Sequence, residues 1–264
     1  MAQKKRGARL GQHFLTAHRV AVSLARSVAV RPGETLVEVG PGKGALTREL
    51  VTLGASVVAI EKDAALIEKL NETFAQEIGS GRLRIVSADV RDVDTISLGL
   101  ADQLYVVAAN IPYYITGEII RQFLTAPTLP RAMALLIQKE VAQRITSKKE
   151  SLLSLSVKAY GMPKIIEKVS KKCFSPAPSV DSAILLIDAI SRDFFNDVSE
   201  AHFFEVLHAG FASKRKFVAN NLGIKYGKEQ VLGAIAAAGI NEKERAENVP
   251  IAAWKVVAQQ LEKN

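Results

Sequence analysis

The alternation of short apolar runs with helical patterns between residues 17 and 188 constrains the fold more than any other feature of the chain. The runs T-L-V-E-V at 35–39 and S-V-V-A-I-E at 56–61 are almost continuously apolar. Continuous runs are typical of parallel strands buried on both faces, whereas strands with one solvated face alternate apolar and polar residues. The pattern therefore predicts an α/β fold whose sheet is mostly parallel and covered by helices on both faces.

The rest of the chain extends this pattern and then departs from it. Further strands are predicted at 82–86, 104–109, 132–138, 164–170 and 183–188. Helices are predicted at 17–30, 44–53 and 117–124. Another helix follows the strand at 56–61 and ends near residue 78, and helical patterns follow the strand at 132–138 and end near residue 160.

Two breaks in the alternation indicate how the chain is organised. The last two strands are joined through P-A-P-S without a helix, which predicts an antiparallel strand at the sheet edge. Beyond Ser191 there is no strand pattern, only helical patterns at 199–209, 228–238 and 249–261. We therefore expect two domains, residues 1–190 and a small C-terminal helical domain at 191–264.

The positive charge of the chain is concentrated in a few places. The net charge is +8, and the segment 1–33 carries several Lys and Arg without any Asp or Glu. Each basic cluster by itself is equally typical of a solvated face, but several in one net-positive chain favour a polyanionic partner. The N-terminal segment, which lacks Asp and Glu, also resembles an organelle transit peptide. Motif-like residues begin by Gln12, however, and leave little room for such a peptide. The cationic residues expected to bind phosphates are Lys4, Lys5, Arg6, Arg9, Lys148, Lys149, Lys214, Arg215 and Lys216.

The composition restricts the remaining classes. The single cysteine, Cys173, excludes an intrachain disulfide and fits a reducing compartment, so a cytoplasmic protein is expected. No apolar run approaches the roughly 20 residues that span a bilayer, so no membrane partner is expected. His18, His202 and His208 have no metal-ligand spacing, and no metal is expected.

A glycine-rich turn follows the first sheet strand, in E-V-G-P-G-K-G at 38–44, and Glu61 ends the next strand. Such a turn lets a ligand approach the backbone, and an acid about 20 residues further on can hold a ribose diol. A simple tight turn would also require glycine. The combination of loop, spacing and acid nevertheless favours a nucleoside-containing cofactor.

The details of this loop argue against a dinucleotide. The spacing is not G-x-G-x-x-G, and Glu38 before the loop would repel a pyrophosphate. A carboxylate suits a cationic ligand without phosphate, which describes S-adenosyl-L-methionine with its sulfonium and ammonium groups. Asp89, after the third strand, could accept a hydrogen bond from the adenine amino group, or could simply cap a turn. An oxidoreductase with a nicotinamide cofactor is the alternative that the glycine spacing disfavours.

The sequence N-I-P-Y-Y-I-T at 110–116 follows the strand at 104–109. A strand end followed by a turn explains Asn110 and Pro112 but not the tyrosines. An amine attached to an aromatic base is a poor nucleophile, and acceptors at its hydrogens would free the nitrogen lone pair. The side-chain oxygen of Asn110 and the carbonyl of Ile111 can supply those acceptors, and Tyr113 can stack on a base. Core aromatics in a turn are the alternative.

Five motifs together resemble the KsgA/Erm family of rRNA adenine N6-methyltransferases along nearly the whole chain. They are G-Q-H-F-L at 11–15, E-V-G-P-G-K-G, the acids Glu61 and Asp89, N-I-P-Y, and F-S-P-A-P-S-V-D-S-A at 174–183. The resemblance implies a Rossmann-like class I methyltransferase fold. It also implies that the ring of Phe174 stacks on the target base opposite Tyr113. The cofactor contacts that we expect from the motifs are Gln12, His13, Leu15, Glu38, Gly40, Gly42, Gly44, Glu61, Lys62, Asp89, Val90 and Asn110.

Within this family the chain resembles the KsgA branch more than the Erm branch, which modifies large-subunit rRNA. Asp181 stands where Erm sequences usually carry Asn, and residues 211–222 and 245–250 resemble the KsgA-type helical domain. Two departures are E-S-L-L-S at 150–154, which concerns a loop on the substrate side, and Ser179 in place of a frequent Lys.

The resemblance implies a specific activity. The expected reaction is N6,N6-dimethylation of two adjacent adenosines in the 3′-terminal hairpin of small-subunit rRNA, within a pre-30S particle and by a monomer. A non-catalytic factor in ribosome assembly or transcription is the alternative, although an intact N-I-P-Y argues against loss of activity.

Overall fold

The computed structural model describes residues 13–262, which form two compact units. The first unit comprises residues 13–142 and 162–190, and the second comprises 143–161 and 191–262. One boundary between the two units falls between residues 190 and 191. The first unit, however, is interrupted, because residues 143–161 pack with the C-terminal helices rather than with the sheet.

The first unit is built on a seven-stranded sheet in the order β4-β3-β2-β5-β6-β9-β7, together with a separate pair formed by β1 and β8. The strands are β1 Phe14–Leu15, β2 Thr35–Val39, β3 Ser56–Glu61, β4 Leu83–Ser87, β5 Tyr105–Asn110, β6 Ala132–Gln138, β7 Met162–Val169, β8 Phe174–Ser175 and β9 Ser182–Asp188.

The five strands from β4 to β6 are parallel, and β9 is antiparallel to both of its neighbours, β6 and β7. The prediction of a mostly parallel sheet with antiparallel pairing at one edge is confirmed. The strand that reverses direction is β9, while β7 forms the edge beside it. A register shift between Ile165 and Glu167 introduces an irregularity into that edge strand.

The helices of the first unit cover the two faces of this sheet, and α6 runs from the first unit into the second. The helices of residues 13–146 are α1 His18–Ser27, α2 Ala45–Val51, α3 Ala64–Thr73, α4 Ala75–Gly79, α5 Thr116–Leu124 and α6 Lys139–Thr146. Strand β5 is buried along Tyr105–Ala109, and β6 along Ala132–Ile137, as the continuous apolar runs predicted.

The chain order creates the position of a ligand site. Strand β2 pairs with β3 on one side and β5 on the other, so the connections leave it in opposite directions. In open α/β sheets the crevice at such a switch point, outside the carboxyl ends of the strands, is where ligands bind. Gly40, Lys62 and Ile111 directly follow the carboxyl ends of β2, β3 and β5.

The second unit contains helices α7 Leu152–Tyr160, α8 Glu200–Gly210, α9 Val218–Tyr226, α10 Lys228–Ala237 and α11 Ile251–Glu262. Trp254 and Phe203 are fully buried in it. Gly210 is required by this packing, since a Cβ there would lie 2.3 Å from the Trp254 ring. Helix α9 was not among the predicted helices.

The departure E-S-L-L-S forms the start of α7. Ser151 caps the helix by accepting from the Ser154 amide at 3.1 Å, and the Ser154 hydroxyl accepts from the Ser151 amide at 2.6 Å. Buried Glu150 accepts from the Ser154 hydroxyl and from the Lys158 ammonium, both at 2.7 Å. This segment therefore has a structural role in the second unit, as an N-terminal capping box.

Candidate active site

The glycine loop after β2 has the backbone that its sequence predicted. Gly40, Gly42 and Gly44 all have positive φ, at 67°, 58° and 79°. A side chain at Gly40 would meet nothing within 4 Å, whereas a Cβ at Gly44 would lie 2.5 Å from the Phe74 ring. Gly40 therefore leaves the loop open, Gly42 allows close approach of the Phe14 ring, to which a Cβ would come within 3.2 Å, and Gly44 allows close packing of Phe74 against the start of α2.

Glu61 is held rigidly at the end of β3. Its carboxylate accepts backbone hydrogen bonds from Gly42 at 3.1 Å, Lys62 at 2.9 Å and Asp63 at 3.1 Å. The residue is 5% exposed. This acid thereby joins the glycine loop to the next strand, at the position where a ribose diol would be held.

Glu38 lies beneath the same loop and is 1% exposed. The Thr47 hydroxyl donates to its carboxyl at 2.7 Å. Burial, with a smaller contribution from the charge of Glu61, raises the pKa of Glu38 to about 8, against the opposing effect of the Thr47 hydrogen bond. A cation in the crevice would stabilise the ionised form, which fits the sulfonium or ammonium of the expected cofactor.

Asp89 follows β4 and is both a turn cap and a member of an ion-pair cluster. Its carboxylate accepts from the Arg91 amide at 3.1 Å and from the guanidinium at 3.0 and 2.7 Å, and Lys62 approaches to 3.5 Å. The Arg91 hydrogen bond, more than any other contact, lowers the pKa of Asp89 well below its usual range. Asp89 is therefore ionised, a form in which both carboxylate oxygens can accept a hydrogen bond such as one from an adenine amino group.

Asn110 ends β5 and is oriented by the backbone of His13, the residue directly before β1. Its side-chain nitrogen donates to the carbonyl of His13 at 3.2 Å. This bond uses one of the two amide donors and directs the side-chain oxygen away from His13. Ile111 and Pro112 continue into the short 3₁₀ turn Tyr113–Ile115, which leads into α5.

Tyr113 is half-buried and is tied to the motif at 174–183. Its hydroxyl lies 2.7 Å from the Ser182 hydroxyl, and burial raises the pKa of the phenol. Its ring lies 5.8 Å from the His13 ring between centroids, at an interplanar angle of 31°. His13 donates through Nδ1 to the carbonyl of Pro176 at 2.8 Å. The N-terminal motif, N-I-P-Y and the Phe-x-Pro-x-Pro segment are thus connected side by side.

Phe174 is placed differently from the sandwich partner that the resemblance implied. It pairs with Leu15 across the antiparallel β1–β8 ladder and is 5% exposed within the apolar core of the first unit. Burial of an apolar ring in this core stabilises the folded protein. Neither Phe174 nor Gly44 lines the pocket among the residues that the structure describes.

One pocket at the carboxyl ends of the strands brings most of the predicted residues together. The predicted cofactor contacts that line it are His13, Leu15, Glu38, Gly40, Gly42, Glu61, Lys62, Asp89, Val90 and Asn110. The predicted catalytic residues Ile111, Pro112 and Tyr113 line it as well. The amide of Asn110 and the ring of Tyr113 therefore line the same cavity as the carboxyl groups of Glu38, Glu61 and Asp89.

Several residues of the site were missed by reasoning from the sequence. Thr47 and Arg91 have no recognisable motif, and Ser182 lies in the motif at 174–183 but without a predicted role, because its contact with Tyr113 depends on how the strands are arranged in space. Tyr114 did have a signal, since N-I-P-Y-Y contains a second tyrosine that the first one does not explain. It lines the pocket and is 62% exposed.

The predicted phosphate-binding residues that the structure describes all lie in the second unit. Lys148, Lys214, Arg215 and Lys216 are exposed, and Lys149 pairs with Glu247 at 3.2 Å. Backbone hydrogen bonds join Glu150 to Glu247 and Val218 to Glu244, so the segments at 148–150, 214–218 and 244–247 are neighbours. The predicted residues Lys4, Lys5, Arg6, Arg9 and Gln12 lie outside the described residues.

The described part of the chain offers neither a metal cluster nor a membrane span. Within residues 13–262, no group of three or more His, Cys, Asp or Glu side chains could hold a metal ion. No described helix is both long enough and apolar enough to cross a membrane.

Comparisons with known proteins identify the family of the chain. A family model for ribosomal RNA adenine dimethylase matches residues 3–263. Proteins named ribosomal RNA small subunit methyltransferase A from Dehalococcoides mccartyi (strain CBDB1) and Moorella thermoacetica are 38% and 34% identical to the chain. These matches cover 93% and 96% of this chain and 85% and 91% of the relatives.

Solved structures agree in fold. The crystal structure of the 23S rRNA methyltransferase ErmE matches with a TM-score of 0.76 and 25% identity, covering 94% of this chain and 99% of its own. A dimethyladenosine transferase from Plasmodium falciparum matches with a TM-score of 0.78 and 21% identity, and the match covers 93% of this chain and 96% of that structure's chain.

The sheet and the pocket at its switch point, together with these neighbours in fold, are those of a Rossmann-like class I methyltransferase. The family model spans nearly the whole chain and makes the assignment more specific. The chain belongs to the ribosomal RNA adenine dimethylase family.

Proposed function

We propose that this protein uses S-adenosyl-L-methionine to dimethylate N6 of two adjacent adenosines in the 3′-terminal hairpin of small-subunit rRNA. The observation that carries the proposal is the junction of N-I-P-Y with the acid-lined pocket in one cavity. Two relatives that carry the small-subunit name, at 38% and 34% identity, support the choice of substrate over large-subunit rRNA.

The residues of the pocket fit the cofactor. Glu61 and Asp89 are fixed acceptors that suit a ribose and an adenine amino group, and Glu38 suits a cation. S-adenosyl-L-methionine carries no phosphate, so the pocket requires no phosphate site. This agrees with the position of Glu38 close before the glycine loop. When bound, S-adenosyl-L-methionine supplies an electrophilic methyl group.

The chemical role of the chain is to activate a weak nucleophile by hydrogen bonding. The Asn110 oxygen and the Ile111 carbonyl accept the two amino hydrogens of the target base, so the nitrogen lone pair is less delocalised into the ring. The His13 carbonyl fixes the Asn110 amide in the orientation that this requires. The released proton passes to solvent, and no protein base with a shifted pKa is needed.

Stacking holds the target base after it leaves its helix. Tyr113 supplies the first ring, and the Ser182 hydroxyl holds that ring in place. Phe174 supplies the second face only after it leaves its packing against Leu15, so we place it in the RNA-bound state.

The two units divide the work in this proposal. The first unit holds the cofactor and the target base, and the second unit, through residues from 191 onward and through Lys148 and Lys149, contacts the rRNA backbone within a pre-30S particle. We also propose that the protein acts as a monomer in the cytoplasm. The exposed cations Lys214, Arg215 and Lys216 are the described residues that support the backbone contact.

The test is methyl transfer from tritiated S-adenosyl-L-methionine to small subunits that lack the modification, followed by identification of the labelled nucleosides. Label in N6,N6-dimethyladenosine from the small subunit is expected. Label only in large-subunit rRNA would assign the protein to the other branch. Tight subunit binding without transfer would make it a non-catalytic factor.

A further inference from the structure

Tyr114 is the part of N-I-P-Y-Y to which the proposed reaction assigns no role. It is 62% exposed and lies at the mouth of the pocket, next to Tyr113. The other large apolar side chains that are exposed within residues 13–262 are aliphatic, namely Ile96, Leu104, Met162, Ile166 and Ile224. An exposed aromatic ring beside a site for an extruded base has the chemistry of a stacking platform.

A shallow depression lies close to this ring, on the outward side of α5. It is lined by Arg91, Gly117, Glu118, Arg121, Gln122 and Thr125. Tyr114 precedes Gly117 by only three residues, in the turn that leads into α5, so the ring and the depression are neighbours. The depression therefore lies outside the cofactor pocket, beside the Tyr114 ring at the mouth of that pocket.

The charges in this surface are not equivalent. Arg91 is neutralised by its bidentate pair with Asp89. Arg121 is exposed, and no carboxylate within the described residues forms an ion pair with it. Glu118 lines the same depression, and its carboxylate suits an exocyclic amino group of a base rather than a phosphate. Arg121 is thus the cation that remains available for a phosphate.

This surface is held in place before any ligand binds. The Gln122 side chain donates to the carbonyl of Val90 at 2.6 Å and to that of Val93 at 3.1 Å. These bonds clamp the turn that carries Arg91 onto α5, the helix that carries Arg121. A preformed surface loses less entropy on binding than one that must be ordered.

We propose that Tyr114 and Arg121 form a second nucleotide subsite. The Tyr114 ring stacks on the base adjacent to the target in the same strand, and the Arg121 guanidinium contacts the phosphate of that nucleotide. Turning one base out of a stack exposes a face of its neighbour, and Tyr114 covers that face. This inference rests on the proposed function, because it requires a single RNA strand at the pocket.

The test compares the full-length Tyr114→Ala and Tyr114→Phe variants with Ile96→Ala, whose original side chain is 61% exposed in the same unit. For Tyr114→Ala, kcat/KM toward unmodified small subunits should fall about tenfold or more, the range found for loss of base stacking. Tyr114→Phe keeps the ring and should remain within about twofold of wild type, as should Ile96→Ala. Calorimetry should show an unchanged Kd for S-adenosyl-L-methionine in all three variants.

Arg121 has its own matched control. Arg82 directly precedes β4, at the amino ends of the strands and so at the edge opposite the pocket, and its side chain is 49% exposed. Arg121→Gln should weaken rRNA binding about fivefold and reduce its salt dependence, whereas Arg82→Gln should do neither. Equal effects of the two substitutions would remove Arg121 from the subsite.

A direct readout uses an rRNA hairpin with 2-aminopurine next to the target adenosine. The wild type should quench its fluorescence by stacking, and Tyr114→Ala should not. Wild-type kcat/KM in Tyr114→Ala would overturn the subsite. A weaker Kd for S-adenosyl-L-methionine in that variant would also overturn it, because the ring would then serve the cofactor. Failure of the proposed function is distinguishable, since wild type itself would transfer no methyl group to rRNA.

Discussion

The individual polar residues of the site each have two functions. The Asn110 amide is held by a backbone carbonyl on one side, which leaves its oxygen for the target base on the other. Glu61 ties the glycine loop to β3 with the same carboxylate that faces the pocket. The precision of such a site comes from these supporting hydrogen bonds, because they fix each functional atom before the ligand arrives.

Glu38 should make the stability of the cofactor-free protein depend on pH. The folded protein keeps a proton on Glu38 up to about pH 8, whereas the unfolded chain loses it near the ordinary pKa of 4.5. The contribution of Glu38 to the free energy of unfolding is therefore largest in acid, declines as pH rises through this window and levels off above about 8.

Glu38→Gln removes this titration, and its effect can be measured by thermal unfolding between pH 5 and pH 9. Relative to wild type, the variant should gain Tm as pH rises, by about 5 °C at the alkaline end. A difference in Tm that is independent of pH would contradict the assignment.

Among the structural elements, the glycine loop needs its third glycine, Gly44, for packing against the Phe74 ring. Gly44→Ala places a Cβ 2.5 Å from Phe74, at a residue with φ of 79°. It should lower the free energy of unfolding by about 3 kcal/mol from strain and overpacking together. Gly40→Ala meets only the backbone strain, of about 1 kcal/mol.

Thermal unfolding of the two glycine variants distinguishes these cases, and a second substitution sharpens the test. If the clash is the cause, Phe74→Leu should restore part of the stability of Gly44→Ala, and the two substitutions should be non-additive. Equal losses for Gly44→Ala and Gly40→Ala would refute the packing role.

The start of α7 should likewise respond to the loss of its buried acid. Glu150→Ala leaves the Lys158 ammonium and the Ser154 hydroxyl without this acceptor, and should destabilise the protein by about 3 kcal/mol. Glu247→Ala is the control, because its pair with Lys149 is solvent-exposed and contributes less than about 1 kcal/mol. Urea unfolding followed by circular dichroism measures both, and equal midpoints would disprove the buried role.

The elements also show what the sequence could predict. The strands β2, β3 and β6 have the predicted bounds, because each is a continuous apolar run between turn residues. The β1–β8 pair has only two residues in each strand and joins the two ends of the first unit's sequence, so it has no periodic signal. Its pairing buries Phe174, which is why the position of that ring could not be predicted from motifs alone.

Helix α9 illustrates a second cause of failure. Its sequence, V-A-N-N-L-G-I-K-Y, contains two asparagines and a glycine, all poor helix formers. Tertiary contacts compensate for this, since the buried Asn221 amide donates to the carbonyls of Gly210 and Ser213 at 2.7 and 3.0 Å. Hydrogen bonds of this kind, made outside the helix, override local propensity.

For the molecule as a whole, the basic residues of the second unit should control affinity for rRNA rather than chemistry. Replacing Lys214, Arg215 and Lys216 together with Gln should reduce the slope of log Kobs against log salt concentration by about 2 to 3. The kcat at saturating rRNA should stay close to wild type.

The control for this salt dependence is the double variant Lys164→Gln with Lys168→Gln, which removes two exposed charges from the edge strand β7. Filter binding over a range of salt concentrations measures both proteins. An unchanged slope in the triple variant would exclude these cations from the RNA interface.

Activation of the adenine amine by the N-I-P-Y turn is tested most simply by the single-turnover rate of methyl transfer in Asn110→Ala, with cofactor and rRNA both saturating. We expect a rate at least about 100-fold below wild type, the size of effect that follows loss of one preorganised polar group at a reacting centre. We also expect unchanged binding of rRNA, and a wild-type rate that shows no titration of a catalytic base. A variant that transfers methyl groups at the wild-type rate would show that the turn does not activate the amine.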